Sequence, residues 1–299
     1  MPVEDAVTSE AVPSVPPAEL CFASGRAPED GDEERRRGRS WTQLADDLAT
    51  LSEELVADLE ELTTRHGRTT SLCEGWDVRD VVVHLVVGDD LASRTLQGED
   101  CFPHPTDDEQ VLQSESRARV ERLGPLDLEA AVERFRVGRH RLLGQLAGLS
   151  QADLRENVSW ASKPISTFSM VQSRLMETWV HGWDLRHPLG IPTSFDDRAW
   201  WLTDIGVRHV PYSLAKAGVV AGPVELTVSL DGPAGGSWTR TFAGAAETRP
   251  SSVRVSGPAW AWAVLVTRRW PGRASAREAL RVGPAGLGGT LLEHARSFA

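Results

Sequence analysis

Glu177 and His181 are the residues of this 299-residue sequence whose types and spacing most directly suggest chemistry. They lie four positions apart between Arg174 and Asp184, in a stretch whose apolar spacing predicts a helix. At about 100° per residue, these four polar residues share one stripe of the helix, and apolar side chains cover the rest. If the helix is buried, the carboxylate and the imidazole lie side by side in a dry place and need partners, of which a divalent metal is one. The alternative is an amphipathic helix whose polar stripe faces water.

A further histidine lies inside a strongly apolar run, residues 81–87, which reads Val-Val-Val-His-Leu-Val-Val. Propensity alone would allow this run to be a buried strand. Asp77, followed three positions later by Asp80, instead predicts the capped start of a helix that continues to Leu96. Such a helix is apolar all round, so His84 is either a ligand or a core histidine bonded to a backbone carbonyl.

The elements that would position these residues are helical. Leucines spaced by three and four over residues 41–66 predict a long amphipathic helix. A similar pattern over residues 127–149 predicts another, and a weaker, polar helix precedes it. Residues 157–168 show no regular period, and residues 195–217 predict a further helical stretch.

The period of the sequence changes after residue 222. Residues 224–230 alternate apolar with polar side chains, which predicts a strand with one buried face. A returning strand around Trp238 and Phe242, a third at 253–255, a helix at 260–269, a short strand at 280–282 and a closing helix to 298 are predicted to follow. The predicted fold class is therefore α plus α+β, with a tail over residues 1–40, a helical part over 41–218 and a small α+β part over 219–299.

The composition of the chain limits which partners and which cellular location we expect. The formal net charge of −11 and the isoelectric point near 5.3 argue against nucleic acid or an anionic membrane as a partner, and favour a small molecule. Residues 1–40 are rich in Pro and charge, which predicts disorder, and they show no signal-peptide pattern. Cys21, Cys73 and Cys101 lack a paired-ligand spacing, and no apolar run is long enough to span a membrane. We therefore expect a cytoplasmic protein; the sequence sets no oligomeric state.

Three segments carry a resemblance to a known family. Residues 73–84, CEGWDVRDVVVH, and residues 174–184, RLMETWVHGWD, are similar to the two signatures of the mycothiol-dependent maleylpyruvate isomerase family. That family belongs to the DinB-like superfamily of metal-binding four-helix bundles. Residues 255–257 and the helix after them resemble the sterol-carrier-like C-terminal domain of many members. The resemblance covers the chain from residue 41 to its end.

The resemblance implies a site. It assigns His84, Glu177 and His181 as ligands of a divalent metal, and two imidazoles with one carboxylate suit zinc and leave a coordination position open. Each of Asp80 and Asp184 lies one turn from a histidine, where it could orient the imidazole or simply be a surface acid. Arg174 lies one turn before Glu177, where it could steer an anionic group or simply pair with Glu177. The resemblance also implies an arginine that holds the substrate acid, which Arg268 matches best, with Arg269 as its competitor.

The resemblance also implies the reaction type. In the family, a metal lowers the pKa of the thiol of mycothiol, which then adds to a small electrophile. The predicted protein is thus a metal- and mycothiol-dependent S-transferase or cis–trans isomerase. Two alternatives use the same residues: a non-haem iron oxygenase with two histidines and one carboxylate, and a non-catalytic metal-binding protein in which the ion only holds the bundle together.

Overall fold

The computed structural model describes residues 39–297 apart from 103, 105, 107, 162–163, 220–222, 243–250 and 270–272. The tail predicted over residues 1–40 therefore lies outside the described residues, except for Arg39 and Ser40. Ser40 caps the first helix, where its hydroxyl accepts the backbone N–H of Gln43 at 3.2 Å. Arg39 lies 3.5 Å from the carboxylate of Asp47. The last two residues of the predicted tail are thus joined to the fold.

Helices make up the first part of the described chain. They are α1 (Trp41–Glu60), α2 (Val78–Leu96), α3 (Glu109–Arg122), α4 (Leu128–Ala147) and α5 (Thr167–Arg186). Each of the four long helices, α1, α2, α4 and α5, begins after a Ser or Asp whose side chain accepts a backbone N–H of the first turn. Both α1 and α2 pack against α4 and α5, so the long helices form a bundle.

The helix boundaries follow local chemistry. Asp77 and Asp80 form the predicted capping box at the start of α2. The first helix ends at Glu60, six residues before the predicted end, and Nδ1 of His66 accepts the backbone N–H of Thr63 at 3.0 Å in the turn that follows. The segment predicted to be irregular contains two short antiparallel strands, β1 (Asn157–Val158) and β2 (Ile165–Ser166), that lead into α5.

Helix α5 lies at the centre of the bundle. Every residue from Met170 to Leu185 except Glu177 is buried. The stripe that carries Glu177 and His181 therefore does not face bulk water, and the amphipathic alternative for this helix is wrong.

A second part of the fold follows α6 (Trp200–Arg208) and α7 (Val210–Lys216). It contains β3 (Val224–Asp231), β4 (Gly236–Phe242), β5 (Ser251–Pro258), α8 (Ala259–Val266), α9 (Arg273–Ala279), β6 (Arg281–Gly283) and α10 (Ala285–His294). The strand order is β4-β3-β5-β6, with β3 and β5 parallel and the other pairs antiparallel. The prediction of a helical part followed by a small α+β part is confirmed.

One apolar core joins the two parts. Leu48 and Leu142 of the bundle belong to the same buried cluster as Leu226 of β3 and Trp262 of α8. Trp262 also donates its indole N–H to the carbonyl of Thr203 in α6 at 3.1 Å. The sheet is therefore packed onto the bundle, which brings residues of α8 and of the chain end close to α5. No helix within the described residues is long and apolar enough to cross a membrane.

Candidate metal centre

Three side chains converge between α2 and α5. Nε2 of His84, from α2, lies 3.2 Å from Oε2 of Glu177, and Nε2 of His181 lies 3.1 Å from the same oxygen. The two imidazole rings meet edge to face with centroids 4.8 Å apart. One ligand atom from each residue lies within 4.8 Å of the others. The structure thus brings together the three ligands that the family resemblance implies, although 93 positions separate His84 from Glu177 in the chain.

The donor set fits a divalent metal. Two imidazole nitrogens and a carboxylate oxygen are ligands that zinc prefers, and three protein ligands leave room for an exogenous one. The other interpretation of His84 is a structural histidine in the apolar core. Such a histidine would need a backbone carbonyl as its partner, not a second imidazole and a carboxylate. His84 instead bonds Glu177 through Nε2 and the hydroxyl of Ser116 through Nδ1.

Burial and hydrogen bonding divide the charges within this cluster. Burial lowers the pKa of His84, and the hydrogen bond to Glu177 opposes that shift only in part. Burial also acts to lower the pKa of His181, but hydrogen bonds with Asp184, Cys73 and Glu177 outweigh it and raise that pKa well above its usual value. Burial disfavours the charged form of Glu177, yet the hydrogen bonds from the two imidazoles hold its pKa well below the usual range. Both shifts favour a proton on His181 beside an ionised Glu177.

The remote nitrogen of each imidazole has its own partner. Nδ1 of His181 lies 2.9 Å from Oδ2 of Asp184, and Nδ1 of His84 lies 3.0 Å from the hydroxyl of Ser116. With each Nδ1 engaged, the Nε2 atoms are the ones left to face a metal. Asp184 thus lies where an acid one turn after His181 can orient the imidazole. Ser116 was missed, because α3 is polar and carries no pattern that would place it beside α2.

Asp80 does not join the cluster in the described structure. Its carboxylate accepts the backbone N–H of Asp77 at 3.3 Å and pairs with Arg79, so it serves the start of α2. The capping role needs the side chain to point back along the helix, away from His84.

Cys73 lies beside His181 in space, which its position in the sequence did not suggest. Its thiol donates to Oδ2 of Asp184 at 3.2 Å, and its sulfur lies 3.7 Å from Nδ1 of His181. The loop before α2 carries Cys73 to this place, where the backbone N–H of Leu72 donates to the carbonyl of Asp184 at 3.3 Å. The thiol therefore contacts the side of the imidazole opposite the converging Nε2 atoms.

Of the two arginines at the end of α8, Arg269 reaches the site. Its Nη2 lies 2.9 Å from Oδ2 of Asp184, whereas Arg268 is exposed and has no described contact with the cluster. Arg268 has a φ of 56°, in the left-handed region that favours glycine at a helix end. The backbone N–H groups of Arg268 and Arg269 close the helix on the carbonyls of Leu265 and Val264. Arg268 thus forms the left-handed helix end, and Arg269, the competitor named from the sequence, is the arginine that reaches Asp184.

A cavity of about 430 Å³ opens over the cluster. Trp76, Phe102 and Trp160 give it aromatic walls, and the second part of the fold contributes Arg269 and Ser297. Arg174 also lines this cavity, but it pairs with Asp89 rather than with Glu177. The volume suits a small molecule and is shaped by both parts of the fold.

Comparisons with known proteins agree with this arrangement. Residues 48–186 match the family described as mycothiol maleylpyruvate isomerase N-terminal domain. Uncharacterized proteins of two strains of Mycobacterium tuberculosis are each 27% identical to this chain over 227 residues, which is 75% of this chain and 84% of theirs.

Solved structures show the same fold. The crystal structure of the mycothiol-dependent maleylpyruvate isomerase matches with a TM-score of 0.54 and 15% identity, over 82% of this chain and 93% of that chain. A histidine-to-alanine mutant of that enzyme matches with a TM-score of 0.54 and 14% identity, with the same coverage. The likeness therefore extends from the helical bundle into the α+β part.

Proposed function

We propose that this protein is a metal- and mycothiol-dependent enzyme, on the basis that residues 48–186 match the family described as mycothiol maleylpyruvate isomerase N-terminal domain. It uses the low-molecular-weight thiol as the nucleophile on a small electrophile, in an S-transfer or a cis–trans isomerisation. The observation that carries the proposal is the convergence of His84, Glu177 and His181 beneath a cavity of about 430 Å³. A structural metal site, whose ion only holds the helices of the bundle together, would not need a cavity over its ligands.

The chain's own residues prepare the site. His84 and His181 turn their Nε2 atoms toward Oε2 of Glu177, while Ser116 and Asp184 hold the two Nδ1 atoms. A divalent ion bound there, zinc by donor chemistry, would act as a Lewis acid that favours the thiolate form of a bound thiol at neutral pH.

The geometry of Cys73 supports an external nucleophile. Its thiol donates to Asp184 and contacts His181 from the Nδ1 side, so it is engaged away from the converging nitrogens. The cavity leaves space for a thiol from solution, and aromatic side chains form part of its walls.

Arg269 is the group we assign to the substrate's acid in place of Arg268. It lines the cavity and carries its charge beside Asp184, whereas the exposed Arg268 closes the end of α8. For an isomerase, the thiolate forms a C–S bond to one carbon of an alkene conjugated with a carbonyl, and the π electrons shift onto that carbonyl. The remaining C–C single bond rotates, and the return of these electrons expels the thiolate and restores the alkene in the trans form. For a transferase, the C–S bond persists, the neighbouring carbon takes a proton from solvent in place of the lost π bond, and the product leaves as a thioether.

The test is thiol binding to the cobalt-loaded protein. Adding mycothiol is expected to produce a sulfur-to-metal charge-transfer band and to release a proton at neutral pH. His181→Ala should show neither signal. Glu74→Gln is the matched control, since Glu74 lines the cavity but lies outside the ligand cluster, and this variant should retain both signals.

Each alternative has its own outcome. Stoichiometric cobalt loading with no band and no proton release would exclude thiol activation and favour a structural metal. Turnover that requires iron, a reductant and oxygen would favour the non-haem oxygenase.

A further inference from the structure

A buried charge cluster lies beneath the cavity. Asp89 in α2 meets Arg139 from α4 and Arg174 from α5, and the exposed fractions of these side chains are 0%, 3% and 4%. Two guanidinium groups thus share one carboxylate among buried side chains. A buried charge is costly unless an opposite charge and hydrogen bonds compensate it, and Asp89 supplies one negative charge to two guanidinium groups.

Arg139 makes the shorter hydrogen bonds to Asp89. Its Nε and Nη2 lie 2.7 and 3.0 Å from the two oxygens of Asp89, in a bidentate pair. The hydroxyls of Thr178, at 3.0 Å, and of Ser52 accept further hydrogen bonds from Arg139. The hydrogen-bonding capacity of Arg139 is therefore well used inside the bundle.

Arg174 is much less well paired. Its Nε and Nη2 both reach Oδ1 of Asp89, at 3.3 Å each, and this oxygen already accepts from Arg139. Its Nη1 makes no hydrogen bond to any residue that the structure describes, and Arg174 lines the cavity. The positive charge that Asp89 does not compensate therefore lies on Arg174, which lines the cavity, and not on Arg139.

Gly88 permits this placement. A Cβ at position 88 would come within 2.5 Å of Nη1 and Nη2 of Arg174, which is closer than atoms can approach. The guanidinium therefore lies directly on the backbone of α2, where both Gly88 and Arg174 face the cavity. Only glycine leaves room for it.

We propose that Arg174 is a specificity-determining residue that binds a carboxylate of the electrophilic substrate at the floor of the cavity. The inference rests on the proposed function and deepens it, because it adds a second anion-binding group to the cavity, distinct from Arg269. Arg139 supports this role, since it occupies Asp89 and leaves Arg174 free to pair with the ligand.

The experiment compares two thiol probes that differ in one charge, 3-mercaptopropionate and its methyl ester. Dissociation constants from the metal-loaded protein, measured by calorimetry, should favour the acid by about tenfold or more. Arg174→Gln should abolish the preference, and Gly88→Ala, which keeps the arginine but displaces it, should reduce it strongly. Chelation of the ion by the probe's own carboxylate would persist in both variants.

Arg119→Gln is the matched control. Arg119 lines the same cavity and pairs with Glu115 at 3.5 Å, so this variant removes the same unit of charge without touching the buried cluster. It should retain the preference for the acid. Arg174→Lys, which keeps a positive charge, should retain part of it and serves as the folded variant if Arg174→Gln is unstable.

Propionate, which has no thiol, provides an arm independent of metal and thiol. In the metal-free protein it should bind wild type more tightly than Arg174→Gln. Equal preference for the acid in wild type, Arg174→Gln and Gly88→Ala, or none in wild type, would overturn the proposal while leaving thiol binding intact. Absence of binding by both thiols would count against the proposed function, and the propionate comparison would still decide the role of Arg174.

Discussion

Replacing Asp184 by Asn tests how the outer partners of the histidines set metal affinity. The substitution keeps the size of a side chain that is 1% exposed, but removes the negative charge 2.9 Å from Nδ1 of His181. Partners of this kind are worth about 10- to 100-fold in metal affinity, or about 1.4 to 2.8 kcal/mol. We therefore expect Asp184→Asn to weaken zinc binding by that factor, measured by competition with a chromophoric chelator.

Ser116→Ala provides the internal comparison. The hydroxyl of Ser116 bonds Nδ1 of His84 at a similar distance, 3.0 Å, but carries no charge. A neutral hydrogen bond contributes about 0.5 to 1.5 kcal/mol, so this variant should lose about tenfold or less. If Ser116→Ala weakened zinc binding more than Asp184→Asn does, the argument that charge on the outer partner matters would be refuted.

Arg269→Gln separates two effects of the same substitution. Asp184→Asn also removes the partner of Arg269, whose Nη2 lies 2.9 Å from Oδ2. If the loss of zinc affinity came from that broken contact between the two parts of the fold, Arg269→Gln would reproduce it. We expect instead that Arg269→Gln binds zinc at least as tightly as wild type, because it leaves Oδ2 of Asp184 to His181 and the Cys73 thiol and removes a nearby cation.

Further outcomes follow from the same structure. His84→Ala, Glu177→Ala and His181→Ala should each purify with less metal while far-UV circular dichroism retains the helical signal; full metal content in any of them would remove that residue from the ligand set. Because hydrogen bonds, chiefly with Asp184, raise the pKa of His181 above its usual 6.5, zinc affinity should fall by about tenfold per pH unit as the pH drops below that raised pKa and level off above it; a flat profile from chelator competition would contradict the assignment. Arg268→Gly should raise the free energy of unfolding in denaturant by about 1 kcal/mol, because φ is 56° there, without changing thiol binding. Deleting residues 1–38 should leave the melting temperature and metal content unchanged, since their composition offers little apolar surface; a clear loss of either would show that the tail packs.

The sequence was most informative where a local signal decided the structure. The capping pair Asp77 and Asp80 outweighed the strand propensity of the valine run, and α2 is a helix. The change from helical to alternating periodicity located β3. Helix α9 was missed, because Ala276 is its one buried residue and seven mostly polar residues show no apolar stripe.

Long-range packing supplied the rest of the site. Cys73 and Asp184 are separated by 111 positions, and no local pattern places one beside the other. The choice between Arg268 and Arg269 depended on which residue adopts the left-handed conformation at the end of α8, which residue type alone did not reveal. Asp89 likewise connects α2 with α4 and α5 through two arginines. The excess of positive charge in this cluster therefore could not be predicted from the sequence.

Oδ2 of Asp184 serves two cations at once, the imidazole of His181 and the guanidinium of Arg269, each at 2.9 Å. The two groups compete for this oxygen, so a stronger hydrogen bond to one weakens the hydrogen bond to the other. An anion that binds Arg269 weakens the interaction of the guanidinium with Asp184. The carboxylate then bonds Nδ1 of His181 more strongly, and this makes Nε2 of His181 a stronger ligand for the metal. Metal and substrate acid would thus promote each other's binding, and thermodynamic reciprocity requires that each increase the affinity of the other by the same factor. The enzyme would then hold its ion most firmly when the substrate is bound.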